Sequence, residues 1–328
     1  MPAGWTAFQT LSGAPRLTAA TLAELVDGGQ AFRWQREADG LWLGIWSDQI
    51  VRLRLSPAGD LEWSAPAKLA ARVRTALPVY LFGHDTAKAL DTLPWRSDAH
   101  LSRCLAAFPG LTILRQPFGE TLLGFLCSAT KQIVQIKQMV ALLAGRHGAP
   151  IIPTPPSRSP SQPRQVCHLL SDKPALGSAP PVNVSSINRL PTWGELADVS
   201  ETDLRACLLG FRARYIHQTA QFLAAHPGWL DKTERLPYLE AKARLCELPG
   251  VGEKVADCVL LFGAGRLEAF PVDTWIIKAM ARRYALDGWA PAQIAHFGRV
   301  HFGAYAGLAQ QYLFAYERAQ AKSTVPLS

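Results

Sequence analysis

The apolar and polar positions of this chain change period as it runs. Between residues 31 and 63 the runs are short: Ala31-Phe32-Arg33-Trp34, Leu41-Trp42-Leu43-Gly44-Ile45-Trp46 and Ile50-Val51-Arg52-Leu53-Arg54-Leu55. In the last run Val51, Leu53 and Leu55 face one way and Arg52 and Arg54 the other, the period-two pattern of a half-buried strand. Turn-forming stretches separate the runs: Ala38-Asp39-Gly40, Ser47-Asp48, and Ser56-Pro57-Ala58-Gly59-Asp60 before Leu61-Glu62-Trp63. Connections this short leave no room for crossover helices, so an antiparallel sheet is expected.

From about Ala67 the spacing becomes helical. Glu120 to Leu143 carries apolar residues at helical intervals, with Ser128-Ala129-Thr130 as a candidate interruption. Six prolines (150, 153, 155, 156, 160 and 163) then block helix and sheet ladders, which predicts a solvated linker or loop over about 149–182, Gly177-Ser178-Ala179-Pro180-Pro181 included. Helical spacing returns by Trp193 and continues nearly to the end, without internal repeats. The expected fold is α+β: an antiparallel β-rich domain over 1–114 and a mainly helical domain over 115–328.

Composition narrows the classes. The 328 residues are 48% hydrophobic and 18% charged, enough to bury a sizeable core in one large or two ordinary domains. Lys+Arg 34 against Asp+Glu 26 gives +8, which suits a polyanion, nucleic acid before anionic membrane, though many basic proteins bind neither. No apolar run approaches the roughly 18 residues of a membrane span. The start, Met-Pro-Ala-Gly-Trp-Thr-Ala-Phe, lacks the pattern of a secretory signal. The six cysteines (104, 127, 167, 207, 246 and 258) form no Cys-x-x-Cys pair, which argues against zinc, an iron–sulfur cluster or a disulfide framework. An intracellular setting is expected, and without a basic localisation run a bacterial cytoplasm is favoured over a nucleus.

Residues 239–273 carry the chemistry. A short helix, Leu239–Cys246, leads into Leu248-Pro249-Gly250-Val251-Gly252. Two glycines there permit a tight turn and bare amides at the next helix start, a phosphate-sized anion site; an ordinary helical hairpin turn fits equally well. In the following helix Val255, Cys258, Val259 and Phe262 form one narrow apolar stripe, with Lys254 at its edge, one turn below Cys258. Desolvation and the positive helix end both disfavour an ammonium there, which would supply some free amine. Asp273 follows Phe270-Pro271-Val272 and opens a helix over Trp275–Tyr284, where a plain N-cap role is the bland reading. An N-cap carboxylate held by N–H groups could also assist an amine or stabilise a cationic transition state.

Leu248-Pro249-Gly250-Val251-Gly252 with Lys254, followed by Pro271-Val272-Asp273, resembles the helix-hairpin-helix plus Gly-Pro-Asp DNA glycosylases. Lys254-Val255-Ala256-Asp257-Cys258 narrows the likeness to the 8-oxoguanine branch. It continues in Gly29-Gln30-Ala31-Phe32-Arg33-Trp34, Phe125-Leu126-Cys127-Ser128, Leu209-Gly210-Phe211-Arg212-Ala213-Arg214-Tyr215 and Ala306-Gly307-Leu308-Ala309-Gln310 with Phe314. The resemblance implies a monomeric enzyme that extrudes a damaged purine from double-stranded DNA, with no membrane partner. It implies that Lys254 attacks the sugar and forms a Schiff base leading to β-elimination, while Asp273 stabilises positive charge and helps keep the amine free. Cys258 and Phe314 would sandwich the base, Gln310 would read its Watson–Crick edge, and the Gly29 carbonyl would accept the N7 proton that guanine lacks. Phe211 would wedge the stack and Arg212 touch the orphaned partner. The amides of Gly250, Val251 and Gly252 would grip a phosphate. No cofactor is implied beyond a structural cation on the carbonyls of Cys246, Leu248 and Val251.

The chain also departs from that pattern. Relatives carry an asparagine run where this chain has Ala129-Thr130-Lys131-Gln132, and a partner-reading arginine where it has Gln135. A histidine two residues past the aspartate is Trp275 here. An alkylpurine glycosylase of the same superfamily is the nearest alternative, disfavoured by Lys254 and Gln310. A non-catalytic helix-hairpin-helix DNA-binding module is the other.

Overall fold

The computed structural model describes residues 4–152 and 187–323, so most of the proline-rich stretch lies outside the described residues. Within them Pro150 forms an antiparallel bridge with Asn188. Five strands, β1 (Gln9–Thr10), β2 (Trp34–Arg36), β3 (Trp42–Trp46), β4 (Gln49–Leu55) and β5 (Leu61–Ser64), make one antiparallel sheet in the order β1-β5-β4-β3-β2. The expected Ala31–Trp34 run pairs later than its apolar pattern suggests, because the residues before Trp34 form the loop that faces the helical part. Helices α1 (Ala19–Asp27) and α2 (Ala70–Phe82) pack on the sheet, α3 (Thr86–Thr92) follows, and α4 (Ala99–Ala107) packs on the last helix of the chain.

Helices then take over: α5 (Phe118–Leu126), α6 (Ile133–His147), α7 (Trp193–Ala197), α8 (Glu201–Leu204), α9 (Arg212–Ala225) and α10 (Trp229–Arg235). They continue as α11 (Tyr238–Leu245), α12 (Glu253–Phe262), α13 (Thr274–Tyr284), α14 (Pro291–Phe302) and α15 (Ala306–Ser323). The α5–α6 break covers the suspected Ser128-Ala129-Thr130 interruption, where Thr130 takes φ +56. No helix among the described residues is long and apolar enough to cross a membrane.

Two details amend the sequence pattern. Arg52 does not face water: it is buried, with Nε and Nη2 donating to Glu37 at 2.6 and 2.7 Å and its guanidinium 4.2 Å from the Trp5 ring centroid. The segment before β1 covers that face of β4, so alternation there marks two covered faces. Arg54, whose guanidinium lies 4.0 Å from the Phe8 ring centroid of the same segment, pairs with Glu62 at 2.7 Å and stays exposed. Helix α12 is likewise buried all round from Val255 to Phe262, Asp257 included. Asp257 is held there by Tyr238 Oη at 2.7 Å and Lys242 Nζ at 3.0 Å, which ties α11 to α12.

The sheet meets the helices through aromatic contacts. Trp34 lies across Gly44 in register, donates to Tyr80 Oη at 3.1 Å and stacks with Trp46. Phe32 meets Phe125 edge-on at 5.2 Å, and Phe125 stacks on Phe262 at 5.5 Å, so one ring of α5 joins the N-terminal loop to α12. The segment 111–114 is the seam. Gln30 donates to Thr112 O and accepts from Leu114 N, both at 2.9 Å, while Tyr312 of α15 donates to Leu111 O at 2.9 Å. A Cβ on Gly44 would fall 2.4 Å from the Trp34 ring. Gly44→Ala is therefore expected to cost about 2 kcal/mol of stability, read as a lowered midpoint in thermal denaturation.

Candidate active site

Every feature of the hairpin between α11 and α12 follows from backbone limits. Gly250 sits at φ +78, and a Cβ there would approach the Tyr215 ring to 2.6 Å, so conformation and packing both require glycine. Gly252 is the N-cap of α12 with open space where a Cβ would be, which leaves room for an anion at the helix start. The carbonyls of Cys246, Leu248 and Val251 lie along this turn, and that of Leu248 already accepts from Val251 N at 3.1 Å. Neutral carbonyl oxygens suit a hard cation, and a carbonyl has a second lone pair to offer. Among the described residues no cluster of His, Cys, Asp or Glu forms a metal site.

Lys254, in the first turn of α12, is half-buried, with Nζ 5.1 Å from the Phe125 ring centroid. Its charge acts on both Cys258 and Asp273, so the three groups share one cleft. Burial pushes the Cys258 thiol up to about 11, against the pull of Lys254, so it remains a neutral, polarisable surface at neutral pH. Asp273 caps α13 as expected, its Oδ1 accepting from Trp275 N at 3.0 Å and Ile276 N at 2.9 Å; Oδ2 takes part in neither bond. Burial raises its carboxyl above the usual range, opposed by the cap N–H groups, Lys254 and Arg318.

The wall opposite comes from α15 and the loop after α1. Gln310 is buried at 3% exposure; its Nε2 donates to Pro271 O at 3.0 Å and its Oε1 accepts from Gln311 at 2.6 Å. Gly29 takes φ +107, and a Cβ on it would stand 3.1 Å from Ile133 and 3.9 Å from Phe314. Phe314 lies under Arg318, whose guanidinium is 5.1 Å from the ring centroid and donates to Gly28 O at 2.5 Å and Glu24 at 3.0 Å. Gly29, Lys254, Cys258, Asp273, Gln310 and Phe314 are thus linked to one another through shared neighbours. Arg318 is a member the sequence reading missed, although it stands four residues past Phe314, on the same helix face.

Phe211 caps the N-terminus of α9 and Arg212 is its first residue. Phe211 is exposed and meets Tyr215 edge-on at 6.0 Å, so Tyr215 connects it to Gly250. Arg212 is buried and turned inward: it donates to Leu209 O at 3.2 Å, to Thr130 Oγ1 at 3.0 Å and to Ala129 O, while its plane lies 4.3 Å from the Phe211 ring centroid. Gln135 accepts from Gln132 N at 3.2 Å and so caps α6.

Comparison with known proteins places the chain in a family. A family model described as HhH-GPD superfamily base excision DNA repair protein matches residues 175–299. The N-glycosylase/DNA lyase OGG1 of Arabidopsis thaliana is 30% identical over 319 residues, covering 92% of this chain and 78% of that protein. The 8-oxoguanine glycosylase/lyase of Clostridium acetobutylicum, solved with double-stranded DNA containing cytosine opposite 8-oxoG, superposes with a TM-score of 0.74 at 28% identity over 92% of each chain. The 3-methyladenine DNA glycosylase of Archaeoglobus fulgidus shares the architecture, with a TM-score of 0.68 at 18% identity over 96% of this chain and 99% of that one. The chain belongs to the HhH-GPD superfamily of base-excision DNA repair proteins and, within it, to the N-glycosylase/DNA lyase OGG1 family.

Two outcomes follow for this site. Gly250→Ala should lose about 2 kcal/mol of stability and weaken duplex binding, measured by thermal denaturation and fluorescence anisotropy. A carboxyl raised by burial contributes stability below its unfolded value of about 3.9 and loses it as pH rises through the folded value. Asn can still cap α13 without a charge, so Asp273→Asn should melt above wild type at neutral pH. That advantage should vanish in acid, while excision falls by about 100-fold or more.

Proposed function

We propose that this protein is a bifunctional DNA glycosylase and AP lyase that excises 8-oxoguanine from duplex DNA. The observation that carries the reading is the common cleft of Lys254, Cys258 and Asp273 behind a glycine hairpin. In this reading the hairpin amides of Gly250, Val251 and Gly252 hold a phosphate of the damaged strand. A cation on the carbonyls of Cys246, Leu248 and Val251 would reinforce that grip. Phe211 enters the stack, and the lesion swings into the cleft at the seam between the β-rich part (1–114) and the helical part (115–328).

The extruded base lies between the Cys258 thiol and the Phe314 ring. Gln310, held in place by Pro271 O and Gln311, reads the Watson–Crick edge. The Gly29 carbonyl accepts the N7 proton; guanine offers no such proton, and its N7 lone pair would face the carbonyl oxygen unpaired. The Lys254 lone pair attacks C1′ and the glycosidic bond breaks, its electron pair leaving with the base, which takes up a proton. Asp273 stabilises the positive charge that develops on the sugar. The amine then loses its proton and the sugar ring opens to an imine. Loss of a C2′ proton expels the 3′ phosphate by β-elimination.

Lys254 weighs against an alkylpurine glycosylase, and the Asp273 carboxylate within its electrostatic reach against a simple binding module. Borohydride trapping on a duplex containing 8-oxoguanine is the test: wild type should give a covalent adduct and Lys254→Gln none, although the variant still binds. Binding without an adduct in wild type would refute the mechanism. With Gln135 committed to capping α6 and Arg212 turned inward, partner discrimination should be weak. Excision rates opposite the four bases are expected to lie within about tenfold of one another, and a strong preference for cytosine would contradict this.

A further inference from the structure

The turn before α9 contains a feature that the Phe211 wedge does not explain. Leu208 takes φ +62 and ψ +17, a left-handed backbone that branched side chains rarely adopt, and is 55% exposed. Its neighbours Cys207 and Leu209 are fully buried, so the turn must send residue 208 outward. Glycine or asparagine would satisfy that backbone without placing a leucine in water. Three residues on, Phe211 is 51% exposed, and Gly210 between them, at φ +57, is exposed backbone.

The polar alternative at this place is absent. Arg212 turns its two terminal nitrogens to Leu209 O, Ala129 O and Thr130 Oγ1, and so braces the turn from within. The outward positions 208, 210 and 211 are therefore apolar, on a chain whose net charge of +8 suits a polyanion. An exposed apolar pair of this kind finds an apolar environment in the gap left when a nucleotide leaves a base stack.

We infer that Leu208 is a second wedge residue that enters the stack together with Phe211. The inference rests on the duplex-glycosylase reading above. An aliphatic side chain fills the gap by shape and has no hydrogen bond to offer, so it supports every orphaned partner base alike. It takes over space-filling that a polar partner reader would otherwise perform.

Leu208→Gly is the decisive variant, because glycine is at ease at φ +62 and the lost side chain packs against little. Its melting temperature should equal or exceed that of wild type. Single-turnover excision of 8-oxoguanine should fall about tenfold, to a similar degree opposite each of the four bases. Fluorescence of 2-aminopurine next to the lesion should report less unstacking, and the salt dependence of duplex binding should be unchanged, since no phosphate contact is lost. Leu208→Met should restore the rate. Excision by Leu208→Gly within twofold of wild type on every duplex would overturn the inference, as would a loss confined to one partner base. Borohydride trapping by wild type is run alongside: without an adduct the glycosylase reading itself fails, whereas an adduct with equal rates removes only the role of Leu208.

Discussion

A largely desolvated carboxylate within electrostatic reach of a half-buried amine is the constraint around which this structure is arranged. Asp273 is tolerated there because it closes a helix: two backbone N–H groups of α13 meet Oδ1, and Lys254 and Arg318 add positive potential. Burial works against the charge, so the site holds a group that a purely structural cap would not need. Its neighbours fix its position from both sides. Gln310 pins the carbonyl of Pro271 two residues before it, and the buried face of α13 follows directly after it.

The surroundings of Lys254 and the turn before α9 are mechanically joined rather than independent. Phe211 touches Tyr215, Tyr215 fills the space that a side chain on Gly250 would take, and Gly250 sets the hairpin that starts α12. Lys254 stands in the first turn of that same helix. A displacement of the turn before α9 is therefore felt at Lys254 through close-packed rings, which transmit shifts because interiors have little spare volume. Arg212, drawn inward to the α5–α6 break, anchors the other end of this chain of contacts.

Local signals were legible in the sequence where one residue type serves one geometric need. The antiparallel sheet followed from tight turns, the α5–α6 break from Ser128-Ala129-Thr130, the cap from Asp273 after Pro271-Val272, and the shared face of Gln310 and Phe314 from their spacing of four. The rest depends on partners far away in the chain. Arg52 read as a solvent-facing strand residue because Trp5 and Glu37, which cover and pair with it, lie in other segments. Asp257 lies outside the apolar stripe read from the sequence, yet Lys242 and Tyr238, from another helix, allow it to be buried. Helix α1 went unread because it is short and lies beside strands, although Leu22, Leu25 and Val26 follow a helical spacing. The inward turn of Arg212 could not be foreseen either, since it depends on where the Ala129 carbonyl ends up.

Burial of the thiols has a consequence outside the repair reaction. Cys104 and Cys127 are driven up to about 12 and Cys207 and Cys258 to about 11, chiefly by desolvation. Peroxide reacts with thiolate rather than thiol, so these four sulfurs are poor targets for it. Cys246, by contrast, is exposed, so slow oxidation is a property of the buried sulfurs alone, and the one beside Lys254 is among them.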